Sequence, residues 1–522
     1  MLPDRQENRQ PNENPTKSWR VAFQALIDRR AVIMLFLGFS AGVPILLIFS
    51  TLSVWLREAG VQRSTITFFS WAALGYSFKF VWAPLVDRLP FPYLTNHLGR
   101  RRGWLLVSQL SLVFAILWTS FFDPQKTLIY TAIGALLIGF SSATQDIVID
   151  AYRIESAEKE MQAILSATYI AGYRIGMIVA GAGALWLADW WGGENYDYLV
   201  WARVYRWMAA LMLVGIMTTL AIKDPGIPGE EKSTFQGNAD YIRFLFVFAL
   251  AAAAFVLGFF LSVDMAQTLK SIFIDNYGML GRLAGFLTET ARLAFSIVMG
   301  AGVIWGMVRL RVVPYEHVRE TYVDPIAEFL GRYGKTALVI LALIGTYRIS
   351  DILMGVITNV FYLDVGYSKT QIATYTKFWG LLATMGGGLL GGVLSIRFGI
   401  IRILFLGAFL SAASNVLFSY VAQQQPDEML LLMVISADNL SAGIAAAAFV
   451  AYLSSLTCVA FTATQYAIFS SIMTLVPKIL AGYSGSVVDS VGYELFFIGT
   501  AVVGVPVLLL IVWAGHISSA QE

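Results

Sequence analysis

Asp146 and Asp150 stand four residues apart in the run Ser141-Ser142-Ala143-Thr144-Gln145-Asp146-Ile147-Val148-Ile149-Asp150-Ala151-Tyr152-Arg153. On a helix that spacing puts both carboxylates on one face. The run closes an apolar stretch that starts near Leu128 and is long enough to cross a bilayer. A carboxylate inside a span is costly and as a rule faces a protein interior or a water-filled path. A partly desolvated acid beside a like charge holds a proton more readily than one in water. Asp146 and Asp150 are therefore candidate proton-coupling groups. A structural reading stands beside this one, in which Asp150 pairs with Arg153 or with an arginine of a nearby loop.

The elements that must position these acids are membrane helices. The chain of 522 residues is 57% hydrophobic and 13% charged, against about 25% charged for a soluble domain. A net charge of +2 says little about partners, and no nucleic-acid partner is expected. The single cysteine, Cys458, excludes an internal disulfide. The three histidines, His97, His317 and His516, lack metal-ligand spacing, so neither a metal nor another cofactor is expected. Residues 1–19 are polar and read as a disordered tail, with no signal peptide in view. The apolar run from Ala31 to Leu56 is too long for a signal core and reads as the first span.

Apolar runs predict spans near 31–56, 65–86, 104–122, 128–150, 162–188 and 201–222, then 241–262 and 286–308. Six more follow near 336–363, 371–396, 399–423, 428–456, 464–488 and 494–514. The expected fold is all-α and polytopic with 14 transmembrane helices. Lys and Arg concentrate in alternate loops, notably Arg29-Arg30, Arg100-Arg101-Arg102 and the 309–335 segment. The positive-inside bias puts both termini in the cytoplasm.

An internal repeat organises these spans. Gly99 and Arg102 recur as Gly399 and Arg402, Ala151-Tyr152 as Ala451-Tyr452, and Asp189-x-x-Gly192 as Asp489-x-x-Gly492, all 300 residues on. Leu85 and Arg88 recur as Leu394 and Arg397. Two six-helix halves of like orientation are the pattern of the major facilitator superfamily. The domains are then a tail over 1–30, a half over 31–222, a linker over 223–335 and a half over 336–514, with a tail over 515–522. The linker carries two inserted helices, expected to pack outside the twelve-helix core because each half is complete without them. The loop Ala83-Pro84-Leu85-Val86-Asp87-Arg88, with Gly99-Arg100-Arg101 after an insertion, resembles the superfamily signature G-x-L-x-D-R-x-G-R-R. Its second copy is worn to Gly392-x-Leu394-x-Ile396-Arg397-x-Gly399. Asp87, Arg88, Gly99, Arg100, Arg101 and Arg397 are thus candidate gate residues.

Longer stretches narrow the resemblance. They include Leu37-Gly38-Phe39-Ser40-Ala41-Gly42-Val43-Pro44, Phe78-Lys79-Phe80-Val81-Trp82-Ala83-Pro84, Gln145-Asp146-Ile147-Val148-Ile149-Asp150-Ala151, Gly172-Tyr173-Arg174-Ile175-Gly176-Met177, Tyr347-Arg348-Ile349-Ser350-Asp351 and Ala463-Thr464-Gln465-Tyr466-Ala467. With them the chain resembles the AmpG-type muropeptide permeases of Gram-negative bacteria over both halves. The resemblance implies a monomer in the inner membrane that imports N-acetylglucosaminyl-1,6-anhydro-N-acetylmuramyl peptides into the cytoplasm. It also implies energy from protons and service to cell-wall recycling and β-lactamase induction. The inserted pair departs from the better-known members, which keep that linker short.

Such a substrate carries hydroxyls, amides and carboxylates. Lys79, Gln145, Arg174, Arg348, Asp351, Asn359 and Lys377 are the candidate substrate contacts. Each has an alternative. Arg174 either grips a carboxylate with its planar fork or neutralises Asp146. Arg348 and Asp351, three apart, can neutralise each other. Lys79 and Lys377 can snorkel to the interface. Two other functions stand as alternatives: a facilitator for another large amphiphilic metabolite, and a membrane-embedded glycan-assembly enzyme. The second is disfavoured because no catalytic acid motif appears in the longer loops.

Overall fold

The computed structural model describes residues 18–521 apart from 63–64, 67–68, 70–75, 77, 92, 194, 227–237, 280 and 482–483. Among the described residues every regular element is a helix. Twelve helices among the described residues are long and apolar enough to cross a membrane. Two of the fourteen expected spans are missing from that count. Nine residues of the second, 65–86, lie outside the described residues, which interrupts it. The thirteenth forms the Thr462–Ala481 helix, which carries Pro477. A bilayer explains why so little besides helix appears: only a helix or a closed barrel satisfies its own backbone there.

The chain divides into two compact units, Met1–Pro228 with Phe329–Glu522, and Gly229–Glu328. In the first unit each half has its own core. One gathers Trp55, Trp201 and Tyr205 with Leu47, Leu112 and Ile138. The other gathers Tyr347, Leu404, Phe449 and Phe469. The repeat is visible in the backbone: Gly99 and Gly399 both take positive φ, +87° and +88°, at the residue before a helix start. A side chain would be strained there.

Glycines set the closest helix crossings. In the Arg29–Ile48 helix Gly38 and Gly42 lie against the Tyr169 and Tyr173 carbonyls; in the Gln162–Ile178 helix Gly172 and Gly176 lie against those of Leu35 and Phe39. This reciprocal contact brings two backbones together, as small residues allow in a membrane. It fixes where Tyr169, Tyr173 and Arg174 stand. Across the halves, Gly392 packs on Ala163 and Ile164.

In the second unit a helical hairpin is joined through the Val263–Asp275 helix and followed by the short Tyr315–Val318 helix. Asn238–Leu261 and Gly281–Arg309 pack through Gly258 against Met299 and Gly300 against Ala251. Arg292 donates to the Phe259 carbonyl (2.7 Å), pairs with Glu289 (2.7 Å) and lies over the Phe259 ring. Its positive charge is thus satisfied within the hairpin.

Candidate functional site

The short Ala83–Arg88 helix starts with Pro84 in its first turn and delivers Asp87 to the seam between the halves. The Asp87 side chain is 1% exposed. Its Oδ2 accepts the Thr464 N–H (2.7 Å) and hydroxyl (2.6 Å), and its Oδ1 accepts the Ala463 N–H (3.1 Å). These donors are at the start of the Thr462–Ala481 helix, where backbone N–H groups lack partners and the dipole favours a negative charge. A carboxylate from one half therefore caps a helix of the other.

Arg101 holds that carboxylate in place. Its Nη2 is 2.8 Å from Asp87 Oδ1, its Nη1 donates to the Val86 carbonyl (3.1 Å), and its Nε donates to Glu155 Oε2 (2.9 Å). The rest of the motif divides the backbone work. Arg100 donates to the Asp87 carbonyl, and Arg102 to the Thr219 and Leu220 carbonyls. Arg88 lies 5.1 Å from the Phe461 ring centroid, another contact across the seam. The second motif copy cannot mirror this arrangement, since Ile396 stands where the first copy has Asp87. Arg397 instead lies over the Trp19 ring at 5.7 Å, against the N-terminal Trp19–Gln24 helix.

Further into the membrane the Pro124–Glu155 helix carries both acids on one buried face. Asp150 is bridged by two cations: Oδ2 is 3.6 Å from Lys79 Nζ and Oδ1 is 3.2 Å from Arg153 Nη2. Asp146 has no ion pair among the described residues; the Tyr169 hydroxyl donates to its Oδ1 (3.3 Å). Gln145 donates to the Ser40 hydroxyl (3.4 Å), while its buried Oε1 has no protein partner. The two sequence candidates for proton coupling thus occupy different surroundings, one bridged by cations and one open to change.

Arg174 makes no ion pair among the described residues; its Nη1 lies 3.8 Å from Met177 Sδ. In the other half the helix breaks between Ala337–Thr346 and Ile349–Val365, and Arg348 sits at that break. It lies 4.0 Å from Asp351, at the outer limit of an ion pair, and Asp351 is hydrogen-bonded to Ser411. Asp438 accepts from Ser414 (3.0 Å). Asn359 is exposed, and the Lys377 side chain lies outside what the structure describes. No group of three or more metal-ligating side chains occurs among the described residues.

At the opposite end of the first half, a cleft of about 560 Å³ is lined by Glu58, Asp189, Tyr196, Asp197 and Trp201. Trp201 donates to Glu58 (2.8 Å) and Tyr196 to Asp123 (2.8 Å). Partial burial pushes the Tyr196 hydroxyl well above its ordinary pKa.

Sequence reasoning missed Glu155, which locks Arg101, and the bond from Arg153 to Ser454 in the other half (2.8 Å). A signal existed. Position 453 holds Leu where the repeat would place a second Arg153, and position 455 holds Ser where it would place Glu155. Charges kept in only one copy of a repeat are not there to build the shared helix.

The sequence profile of the Major Facilitator Superfamily matches residues 31–322. The chain is 30% identical to the anhydromuropeptide permease of Escherichia coli K12, over 92% of this chain and 79% of that one. It is 27% identical to putative transporter AmpG 4 of Rickettsia conorii, over 93% of this chain and 96% of the relative. Among solved structures, the FucP transporter superposes with a TM-score of 0.56 at 10% identity, over 93% of this chain and 98% of that chain. The proton:xylose symporter XylE superposes with a TM-score of 0.55 at 13% identity, over 94% and 95%. At these identities the two structures speak to the fold.

Proposed function

The chain belongs to the major facilitator superfamily and within it to the AmpG-type permeases, and on that premise we propose that it imports anhydro-muropeptides by proton-coupled alternating access. The cargo is peptidoglycan-derived N-acetylglucosaminyl-1,6-anhydro-N-acetylmuramyl peptide, taken from periplasm to cytoplasm for cell-wall recycling. The kinship to a permease named for that substrate supports the cargo. The observation that carries the mechanism is the row of acids on the Pro124–Glu155 helix: Asp146 with no ion pair among the described residues, Asp150 between two cations, Glu155 on the gate arginine.

In this reading the halves, 31–222 and 336–514, rock about a central cavity. Asp87 on the Thr462–Ala481 helix closes the cytoplasmic end, and the positive-inside bias puts both termini on that side. Asp146 takes a proton from the periplasmic side and gives it up inside. Arg174 and Arg348, one from each half, receive the substrate's carboxylates. Lys79, Gln145, Asp351, Asn359 and Lys377 supply the remaining polar contacts, and one chain is the working unit. Uptake of labelled anhydro-muropeptide into inverted and right-side-out vesicles, with and without a proton gradient, tests the reading. Accumulation driven by the gradient in one orientation supports it; uptake indifferent to the gradient refutes the coupling.

A further inference from the structure

Arg153 is fully buried and ties the two halves together at a second place besides Asp87. Its Nη1 donates to Ser454 Oγ (2.8 Å) on the Glu428–Ser455 helix, and its guanidinium lies 5.2 Å from the Tyr466 ring centroid on the Thr462–Ala481 helix. Ser454 spends its own hydroxyl hydrogen on the Val450 carbonyl, so its lone pairs are free to accept. On its own side Arg153 donates to Ser166 (3.0 Å) and Gln162 (3.2 Å). Among the described residues the one anion facing it is Asp150, one turn back on the same helix.

Asp150 is shared. One oxygen faces Arg153 and the other faces Lys79, which the short turn Lys79–Val81 presents from the end of the second span. A single carboxylate thus balances two buried cations. The guanidinium stays at the seam only while enough of that negative charge is left for it, because a buried cation without an anion is strongly disfavoured. We propose that Asp150 is the positioning residue that links the central cavity to the cytoplasmic closure: the share of its charge given to Arg153 sets the strength of a second latch, Arg153 to Ser454 and Tyr466. Lys79 competes for that share. A ligand carboxylate that draws Lys79 away returns Asp150 to Arg153 and holds the latch. The proposal rests on the alternating-access reading above and gives Asp150 a part distinct from that of Asp146.

Amide hydrogen exchange of the segment around Ala463 and Thr464 tests this, with purified full-length protein in nanodiscs. These amides are held by Asp87, so their exchange reports opening of the seam. Asp150→Asn is expected to exchange faster by roughly tenfold or more, as loss of a buried ion pair implies. Ser454→Ala, which leaves the Asp150 pair intact, is expected to exchange faster too, with little further gain in the double variant. Lys79→Met leaves Asp150 wholly to Arg153 and is expected to slow exchange. General damage to packing would speed all three, so the opposite sign for Lys79→Met is what a merely structural role would not produce. Asp87→Asn serves as the positive control. If it speeds exchange while Asp150→Asn matches the wild type, or if Lys79→Met speeds exchange, the latch proposal is overturned and the gate reading stands. If Asp87→Asn itself leaves exchange unchanged, the gate reading falls and the latch with it.

Discussion

Replacing Asp87 with asparagine should open the seam between the halves without unfolding either half. The native carboxylate accepts four hydrogen bonds: Arg101 and the Ala463 N–H on Oδ1, the Thr464 N–H and hydroxyl on Oδ2. Asparagine keeps one acceptor oxygen and turns an amide donor toward groups that are themselves donors. Arg101 retains Glu155 and the Val86 carbonyl, so its charge stays compensated within its own half. The loss falls on the helix start in the other half. A charge-assisted hydrogen bond contributes about 1.5–3 kcal/mol net, and breaking a buried charged contact from one side costs about 3–5 kcal/mol. These describe the same group and do not add. Taking about 3 kcal/mol at about 1.4 kcal/mol per decade, the ratio of open to closed seam rises roughly a hundredfold. Cys458, the single cysteine, reports it, since it stands on the loop between Ser454 and Thr464 and is partly buried. Its alkylation by a membrane-permeant maleimide should accelerate in Asp87→Asn, with an unchanged circular dichroism spectrum. An alkylation rate equal to that of the wild type would refute the argument that Asp87 holds this end shut.

Arg174→Lys keeps the charge and loses the planar fork; with no acid paired to Arg174 among the described residues, muropeptide affinity measured by calorimetry should fall, and full affinity would end its substrate role. Gly172→Ala puts a Cβ into the Leu35 carbonyl, whereas Gly386 has open space around its Cα. The first should lower the melting temperature by an amount equivalent to about 1–3 kcal/mol or more, and Gly386→Ala should leave it equal or higher. Asp28 caps the first span through the Arg30 N–H (2.8 Å), and its hydrogen bond to the Arg30 side chain holds its carboxyl below the usual range. A depressed folded-state value means the stabilisation is present above the ordinary aspartate pKa and is lost as pH falls through the lowered one. Asp28→Ala should therefore cost about 1 kcal/mol at pH 7 and progressively less on acidification, read from thermal unfolding.

The helices and the repeat were legible in the sequence because a bilayer leaves the chain few options. Runs of the right length announce spans, and matched pairs such as Gly99 with Gly399 return in the structure as matched backbone conformations. The cluster of Asp87, Arg100 and Arg101 was legible for a different reason: the three belong to a motif that stays recognisable across an insertion. What that motif grips was not legible, since the N-terminus of the Thr462–Ala481 helix lies 376 residues from Asp87. The two acids of the fourth span looked equivalent in the sequence because helix periodicity puts both on one face. They differ in the structure because Lys79 and Arg153, arriving from elsewhere, both reach Asp150 and leave Asp146 with Tyr169. Arg174 was poised between a ligand and Asp146; among the described residues it makes no ion pair with Asp146.

The central claim is that one ionisable group, Asp146, couples the proton gradient to substrate movement. Asparagine at that position has nearly the same volume and can still accept from the Tyr169 hydroxyl, yet it cannot ionise. The direct measurement is accumulation of labelled anhydro-muropeptide in energised vesicles bearing wild type or Asp146→Asn at matched expression, alongside equilibrium exchange of preloaded substrate. Loss of accumulation with exchange retained is the predicted result. Accumulation against a gradient at the wild-type level in Asp146→Asn would contradict the account.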